Sequence, residues 1–275
     1  MTRVKLCISL KGELLPKIDN LIDGLKLRNR SHVIEYLLSQ NLPGKISKAL
    51  ILTAGRGIKM RPFTYELPKP MLLVKGKPLL EYTLELLKNS GIKEVIILVG
   101  KQGDKIKNHF GNGSKFGLNV IYLDEEKPTG TAIPILEAKN LLLGEPFLLI
   151  YGDVLAKINL KEMMDFHEEN NDLVTMAITS VEKTGDWGVV NLRGHNIISF
   201  VEKPKKPGLS HLVNAGVFII EPDIYKYIPD KKFSRLENDV FPTLVKKGKM
   251  NGYLFEGKWF DVGTPENYER AIKEW

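Results

Sequence analysis

Between the apolar run Ala49-Leu50-Ile51-Leu52 and the basic segment after it lies a glycine-bearing turn, Thr53-Ala54-Gly55-Arg56-Gly57. Glycines at such a turn let backbone N–H groups approach a polyphosphate closely. Residues 56–77 then carry six cations, Arg56, Lys59, Arg61, Lys69, Lys75 and Lys77, against Glu66 alone. That charge suits a chain of phosphates. The turn is not a P-loop, because no Gly-Lys-Ser/Thr follows it, and Gly55-x-Gly57 is only part of a dinucleotide fingerprint. On its own it reads as a solvated basic loop beside a strand–helix turn. Lys69 stands between Pro68 and Pro70, a stiff setting that lowers the entropy cost of aiming its side chain. Asp153 and Asp261 each follow an apolar run and belong at strand ends, where a lone aspartate serves as a turn residue or cap. The five histidines, His32, His109, His167, His195 and His211, show neither metal spacing nor a nucleophile arrangement, and surface or cap positions are expected for them. Cys7 is the only cysteine, which excludes an intrachain disulfide and a cysteine-based zinc site.

These residues need a scaffold. Strands are predicted at Ala49–Leu52, Val95–Val99, Val120–Tyr122 and Phe147–Ile150, and helices at Leu79–Asn89 and Lys105–Phe110. A further helix is opened in capping-box style by Asn159 and Glu162. Strand–helix alternation predicts an α/β fold, Rossmann-like, with a mostly parallel mixed sheet and helices on both faces. Ligands of such sheets sit beyond the carboxyl ends of the strands, where the turns above lie.

The first 44 residues are patterned differently. Val4, Leu6, Ile8 and Leu10 alternate with Lys5, Cys7 and Ser9, as in a strand with one buried side. Leu14, Ile18, Leu21, Ile22 and Leu25 have helical spacing, with Pro16 tolerable only in the first turn. Asn29 caps a second helix carrying Val33, Ile34, Leu37 and Leu38 inward, and Asn41-Leu42-Pro43-Gly44 ends it. One strand and two helices cannot bury their apolar faces alone, so a small β-α-α unit over 1–44, paired with a second copy, is expected to precede a domain over 45–275. The whole chain has 275 residues, 43% hydrophobic and 27% charged, which excludes global disorder. Its formal net charge is +7, and residues 1–46 hold eight of the basic side chains against four acids; a basic end hints at nucleic acid. No run approaches a membrane span and the N-terminus lacks a signal-peptide pattern, so no membrane partner and a cytoplasmic location are expected.

Two resemblances follow from these patterns. Strand, helix, turn and helix in that order, with Lys5-Leu6-Cys7-Ile8-Ser9-Leu10 leading and Asn29-Arg30-Ser31 opening the second helix, resemble the ribbon-helix-helix repressors. That resemblance implies a ribbon shared by two chains, with Lys5, Cys7 and Ser9 at DNA base edges and the N–H groups near Arg30 and Ser31 on a phosphate. A dimerisation clip without DNA is the other reading. Leu52-Thr53-Ala54-Gly55-Arg56-Gly57-Ile58-Lys59-Met60-Arg61-Pro62-Phe63-Thr64, with Pro68-Lys69-Pro70-Met71, resembles the signature of the sugar-phosphate nucleotidyltransferases. The likeness continues in order through Gly130-Thr131-Ala132, Tyr151-Gly152-Asp153-Val154, Trp187-Gly188-Val189-Val190, Glu202-Lys203-Pro204, Asn214-Ala215-Gly216-Val217 and Trp259-Phe260-Asp261-Val262-Gly263-Thr264-Pro265. It implies transfer of a nucleotidyl group from a nucleoside triphosphate to a sugar-1-phosphate, with Mg²⁺ on Asp153 and Asp261. Lys69 is implied at the nucleotide's α-phosphate, and Glu202 and Lys203 at the sugar and its phosphate. Leu52, Ala54, Gly55, Gly57 and Arg61 are implied along the nucleotide, Gly130 and Thr131 beside the base, and Gly188 and Asn214 in the sugar pocket.

The family's loop reads Gly-Gly-x-Gly-Thr-Arg; here Ile58 replaces the threonine and Lys59 the catalytic arginine. Lysine brings charge without a bidentate fork. A regulator that senses a nucleotide or nucleotide sugar is therefore the alternative reading. The family's longer members continue into a β-helix with acyltransferase activity, which is not expected of a sequence with eleven residues after Thr264.

Overall fold

The computed structural model describes residues 7–41, 46–206, 208 and 210–275. The chain divides into two units, Met1–Gly44 and Lys45–Trp275.

In the smaller unit α1 (Leu15–Asp19) precedes α2 (Arg30–Asn41). Pro16 lies in the first turn of α1, where its missing N–H is not needed. The spacing predicts a helix that runs on to Leu25, but α1 ends at Asp19. Asp23 is the reason: its Oδ1 accepts the N–H of Leu25 and of Leu27, each at 2.8 Å. Such an Asx turn competes with the helical ladder. The second helix starts as expected, with Asn29 Oδ1 accepting the N–H of His32 at 3.0 Å. Ile18 and Val33 are buried, whereas Leu37 and Leu38, expected inside, are exposed. Of the strand expected over Val4–Leu10, residues 4–6 lie outside the described residues. Cys7–Leu10 join no strand, because among the described residues there is none beside them to share a hydrogen-bond ladder.

The larger unit begins with β1 (Lys48–Leu52), β2 (Leu73–Val74), β3 (Lys77–Pro78) and α3 (Leu79–Asn89). Next come β4 (Glu94–Val99), α4 (Gly103–Phe110), β5 (Asn119–Asp124), α5 (Ile133–Glu137), α6 (Lys139–Leu142), β6 (Phe147–Tyr151) and β7 (Val154–Ala156). After α7 (Leu160–Asn170) the chain forms β8 (Val174–Ser180), β9 (Gly188–Arg193), β10 (Asn196–Glu202) and β11 (Leu212–Ile220). It closes with α8 (Phe241–Lys246), β12 (Met250–Leu254), β13 (Trp259–Asp261) and α9 (Pro265–Glu274). No described helix is long and apolar enough to cross a membrane.

Nine strands make one sheet in the order β5-β4-β1-β6-β11-β8-β12-β10-β9. β5, β4, β1 and β6 are parallel. Beyond β6, β11 is antiparallel to both its neighbours, β12 is parallel to β8, and β10 is antiparallel to β12 and β9. The sheet is mixed as expected, but only one half of it is parallel throughout. The other half departs because β9 and β10 are joined by the tight turn Gly194-His195, which fits only an antiparallel pair.

Strand alternation sorts the core into two faces. Ala49, Ile51, Val95, Ile97, Leu148 and Ile150 pack with α3, α4 and α7 through Leu84, Ile106 and Met163. Leu50, Ile96, Phe147 and Leu149 point the other way and pack with Ile135, Leu142 and Phe241 of α5, α6 and α8. A third cluster, including Met60, Leu72, Val74, Phe260 and Val262, ties the basic segment to the β7–β13 ribbon. That cluster brings Lys69 toward the two aspartates.

Candidate active site

Asp153 lies in the turn between β6 and β7, and Asp261 ends β13. The ribbon of β7 and β13 is antiparallel, with Asp261 opposite Val154, and the N–H of Val262 donates to the carbonyl of Asp153 at 2.9 Å. Two acids far apart in sequence are thereby set side by side. Lys69 opens a single 3-10 turn (Lys69–Met71) whose Pro70 and Met71 are buried, and its Nζ lies 2.6 Å from Asp153 Oδ2. Trp187 Nε1 donates to Asp261 Oδ2 at 2.7 Å and its ring meets Trp259 edge-on at 5.5 Å. Burial, then the neighbouring charge of Asp153, pushes Asp261 up to about 6, against the opposing pull of Lys69. Burial pulls Lys69 down, but Asp153 and Asp261 outweigh it, so its net shift is upward and it stays a cation.

A cavity of about 620 Å³ lies beyond the carboxyl ends of β1, β4 and β5. Ala54, Gly55, Arg56, Arg61, Lys69 and Lys101 are among its lining. Gly57 has φ +60°, and a Cβ there would come within 2.9 Å of Thr64 Cγ2; Thr64 Oγ1 donates to its carbonyl at 2.7 Å. Leu52, the last residue of β1, accepts the N–H of Gly152 at 2.9 Å. Lys59 is exposed on the turn Ile58–Met60 and is not part of the cavity wall, whereas Arg56 and Arg61 are. Arg61 also lies 5.2 Å over the ring of Tyr65. The two arginines, not the lysine in the family's arginine position, face the cavity.

The residues expected around a sugar gather nearby. Lys203 adopts φ +45°, uncommon for a side chain with a Cβ, and its N–H donates to the Trp187 carbonyl at 3.1 Å. Its Nζ lies 3.4 Å from Glu202 Oε1. Burial, then Glu237, raises Glu202. Gly188 opens β9 where a Cβ would meet Phe200 at 2.5 Å and Glu202 at 3.0 Å. Asn214 is buried, with its Oδ1 accepting the N–H of Gly216 at 2.9 Å. Gly130 has φ +98°, and a Cβ there would fall 2.1 Å from the Ser234 carbonyl oxygen.

Glu237 and Tyr151 join the site in the structure without a signal of their own in the sequence motifs. Glu237 is buried in a single π-helical turn, Leu236–Val240, a rare feature that favours functional sites. Its carboxylate accepts Thr131 Oγ1 at 2.7 Å and the Tyr151 hydroxyl, while Thr131 Oγ1 accepts the N–H of Leu236 at 2.9 Å. Glu237 so joins the Gly130-Thr131 turn to the end of β6, two residues before Asp153. Burial, then Glu237, holds the Tyr151 phenol well above its usual range. The available signal was an acid four residues before the apolar Phe241, on the side a helix buries.

Lys5 lies outside the described residues. Cys7, Ser9 and Ser31 are exposed, and Arg30 is taken up in an ion pair with Asp19 at 2.7 Å. His167 corrects the surface expectation: it is 2% exposed, with Nδ1 2.7 Å from Thr175 Oγ1 and Nε2 3.3 Å from Glu221 Oε1. Burial lowers its pKa against the opposing pull of Glu221, and one hydrogen-bonding partner on each ring nitrogen accounts for a buried histidine without any ligand role.

Known proteins share this fold. Residues 48–275 match the Nucleotidyl transferase family, and the chain belongs to it. It is 33% identical over 226 residues to the mannose-1-phosphate guanylyltransferase of Mycobacterium tuberculosis, covering 81% of this chain and 63% of that protein. It is 32% identical over 229 residues to the mannose-1-phosphate guanylyltransferase catalytic subunit beta of Drosophila melanogaster, covering 82% and 62%. The chain therefore spans about three-fifths of the length of these curated relatives. A crystal structure of UDP-glucose pyrophosphorylase complexed with UDP-glucose superposes with a TM-score of 0.73 at 26% identity, covering 83% of this chain and 97% of that one. HddC from Yersinia pseudotuberculosis, at 22% identity and a TM-score of 0.71, shares the fold.

Proposed function

We propose that this chain joins a sugar-1-phosphate to a nucleoside triphosphate, giving a nucleotide sugar and pyrophosphate. The observation that carries the reading is the Lys69–Asp153–Asp261 centre, whose Lys69 lines one cavity together with Arg56, Arg61 and Lys101. In this reaction a phosphate oxygen of the sugar-1-phosphate attacks the α-phosphorus, the bond from that phosphorus to the bridging oxygen breaks, and pyrophosphate leaves with the electron pair. Such transfer rests on positioning and charge neutralisation. Lys69 meets the α-phosphate, Arg56 and Arg61 meet the phosphates that depart, Lys203 holds the sugar phosphate and Glu202 accepts from sugar hydroxyls.

Mg²⁺ fits the two aspartates. This ion is usually held by one or two carboxylates and the substrate's phosphates, without an all-protein cage, and among the described residues no three acids, histidines or cysteines gather. Asp153 and Asp261 would hold it, and its charge would offset that of the reacting phosphates. The relatives' names make GTP and mannose-1-phosphate the first pair to try. The test is pyrophosphate release, screened with four nucleoside triphosphates against common sugar-1-phosphates; release with no pair would sink the reading.

The N-terminal unit is proposed to join copies of the chain. Ile8, Leu10, Leu21, Ile22 and Leu25 are all exposed among the described residues there, an apolar surface that a second copy would cover. Size-exclusion chromatography with light scattering tests this, and a monomer would overturn it.

A further inference from the structure

One cation of the basic segment is held unlike the others. Lys69 and Lys77 sit against acids, Asp153 and Glu85, each at 2.6 Å, and Lys75 donates to the Lys273 carbonyl at 3.4 Å. Arg61 instead has its guanidinium carbon over the Tyr65 ring, 5.2 Å from the ring centre. Among the described residues its side chain makes no ion pair and no hydrogen bond. An acid would also fix that side chain, but it would neutralise the charge and occupy the donors. A ring attracts the cation through its quadrupole and leaves both the charge and the N–H fork free. Arg61 and Tyr65 line the same cavity, so that fork is available to an anion bound in it.

Tyr65 is 63% exposed and adds little to the core, yet its backbone is pinned on both sides. Gln102, just ahead of α4, donates from Nε2 to the Tyr65 carbonyl at 2.9 Å, and Lys105 in the first turn of α4 donates to the next carbonyl, that of Glu66. The Tyr65 N–H donates to the Pro62 carbonyl at 3.1 Å. Phe63, between Arg61 and Tyr65, meets the Tyr268 ring edge-on at 5.6 Å. The loop that carries Gln102 is itself close against the glycine turn, since a Cβ on Gly100 would fall 2.8 Å from the Ala54 carbonyl oxygen. A ring seated this firmly lowers the entropy cost of bringing its cation to a phosphate. We propose that Tyr65 is a positioning residue that seats Arg61 for the pyrophosphate leaving the α-phosphorus. The proposal rests on the nucleotidyltransferase reading above. It supplies the leaving group with a held, forked cation although position 59 carries an exposed lysine.

Isothermal titration calorimetry of the full chain with inorganic pyrophosphate and Mg²⁺ measures the leaving-group site apart from turnover. Tyr65→Leu keeps an apolar side chain but removes the aromatic face, and at so exposed a position it should leave the fold intact, which a thermal melt checks. Its affinity for pyrophosphate is expected to fall about 2- to 10-fold, the size of a cation–π contact at a partly exposed site. Tyr65→Phe keeps the face and is expected to bind within twofold of the wild type. Arg61→Ala is expected to lose at least as much as Tyr65→Leu. The double variant Arg61→Ala/Tyr65→Leu is expected to bind no more weakly than Arg61→Ala alone, because the ring acts only through the arginine. A Tyr65→Leu that binds pyrophosphate like the wild type overturns the proposal and leaves the nucleotidyltransferase reading standing. So does a Tyr65→Phe as weak as Tyr65→Leu, or a double variant in which the two losses add. A wild type that binds no pyrophosphate overturns the reading of the cavity itself.

Discussion

Residues 45–275 and residues 7–41 solve the same problem, hiding apolar patterns from water, to very different degrees. In the larger unit each strand alternates between two helix-covered faces, and a third cluster anchors the basic segment. Among the described residues of the smaller unit only Ile18 and Val33 are buried. Of the twenty-one exposed large apolar side chains among the described residues, ten lie in this smaller unit. A pattern that closes within one chain can support a site that needs sub-ångström placement. A pattern that does not close is suited to meeting another surface. On this account the chemistry belongs to the first unit and association to the second, and each prediction below tries to break that division.

The largest effect is expected at the paired acids. Asp153→Asn and Asp261→Asn should each lower turnover on the order of 10³-fold, as loss of a central electrostatic contact does. Asp261→Asn should also stabilise the fold at neutral pH. Its carboxyl titrates at about 6 in the folded chain, above the ordinary aspartate range, so the native state binds that proton more tightly than the unfolded one. The penalty of its charge is present above pH 6 and fades as the pH falls toward 4. The variant's Tm should exceed the wild type's by several degrees at pH 7.5, from at most about 3 kcal/mol, and match it near pH 4. A Tm lowered equally at both pH values would break the account of Asp261.

Glu237→Gln should come next. It keeps the volume but replaces one acceptor of the Thr131–Tyr151 link with a donor, and about a tenfold loss in kcat/KM is expected from that scale of buried mismatch. Steady-state kinetics beside a thermal melt checks it; a changed Tm with unchanged kcat/KM would make the link structural only.

Why some of this was legible in the sequence and some not follows from the range of the interactions. β1, β4 and β6 and helix α3 could be read almost residue by residue, because hydrophobic periodicity is local. Asp153, Asp261 and Lys69 were found through flanking motifs, and a two-stranded ribbon brings them together. Tyr151 and Glu237 could not be paired from sequence, since the bond joins residues 86 apart in the chain. The end of α1 departs from the sequence pattern for the opposite reason: a single Asx turn at Asp23 outweighs the apolar spacing beyond it. Lys59 occupies the motif's arginine position, but on the 3-10 turn Ile58–Met60 its side chain is exposed.

Removing residues 1–44 should leave turnover within about twofold and reduce the molar mass in light scattering by more than the deleted segment accounts for. A soluble but inactive 45–275 fragment would show that the smaller unit contributes to the chemistry. The smallest effect is expected at Lys59→Arg, less than twofold in turnover, because that side chain is exposed and lies outside the cavity wall; Arg61→Ala should cost more. A marked gain in Lys59→Arg would mean that Lys59 meets the phosphates after all.

The central claim is attack at the α-phosphorus by a sugar phosphate, and phosphorus NMR observes it directly. The full chain, incubated with Mg²⁺, GTP and mannose-1-phosphate, should convert the GTP signals into those of pyrophosphate and of a two-phosphorus diester linked to the sugar, in equal amounts. Appearance of the nucleoside diphosphate with inorganic phosphate would contradict the account, as would all four nucleoside triphosphates left intact with every sugar-1-phosphate tried.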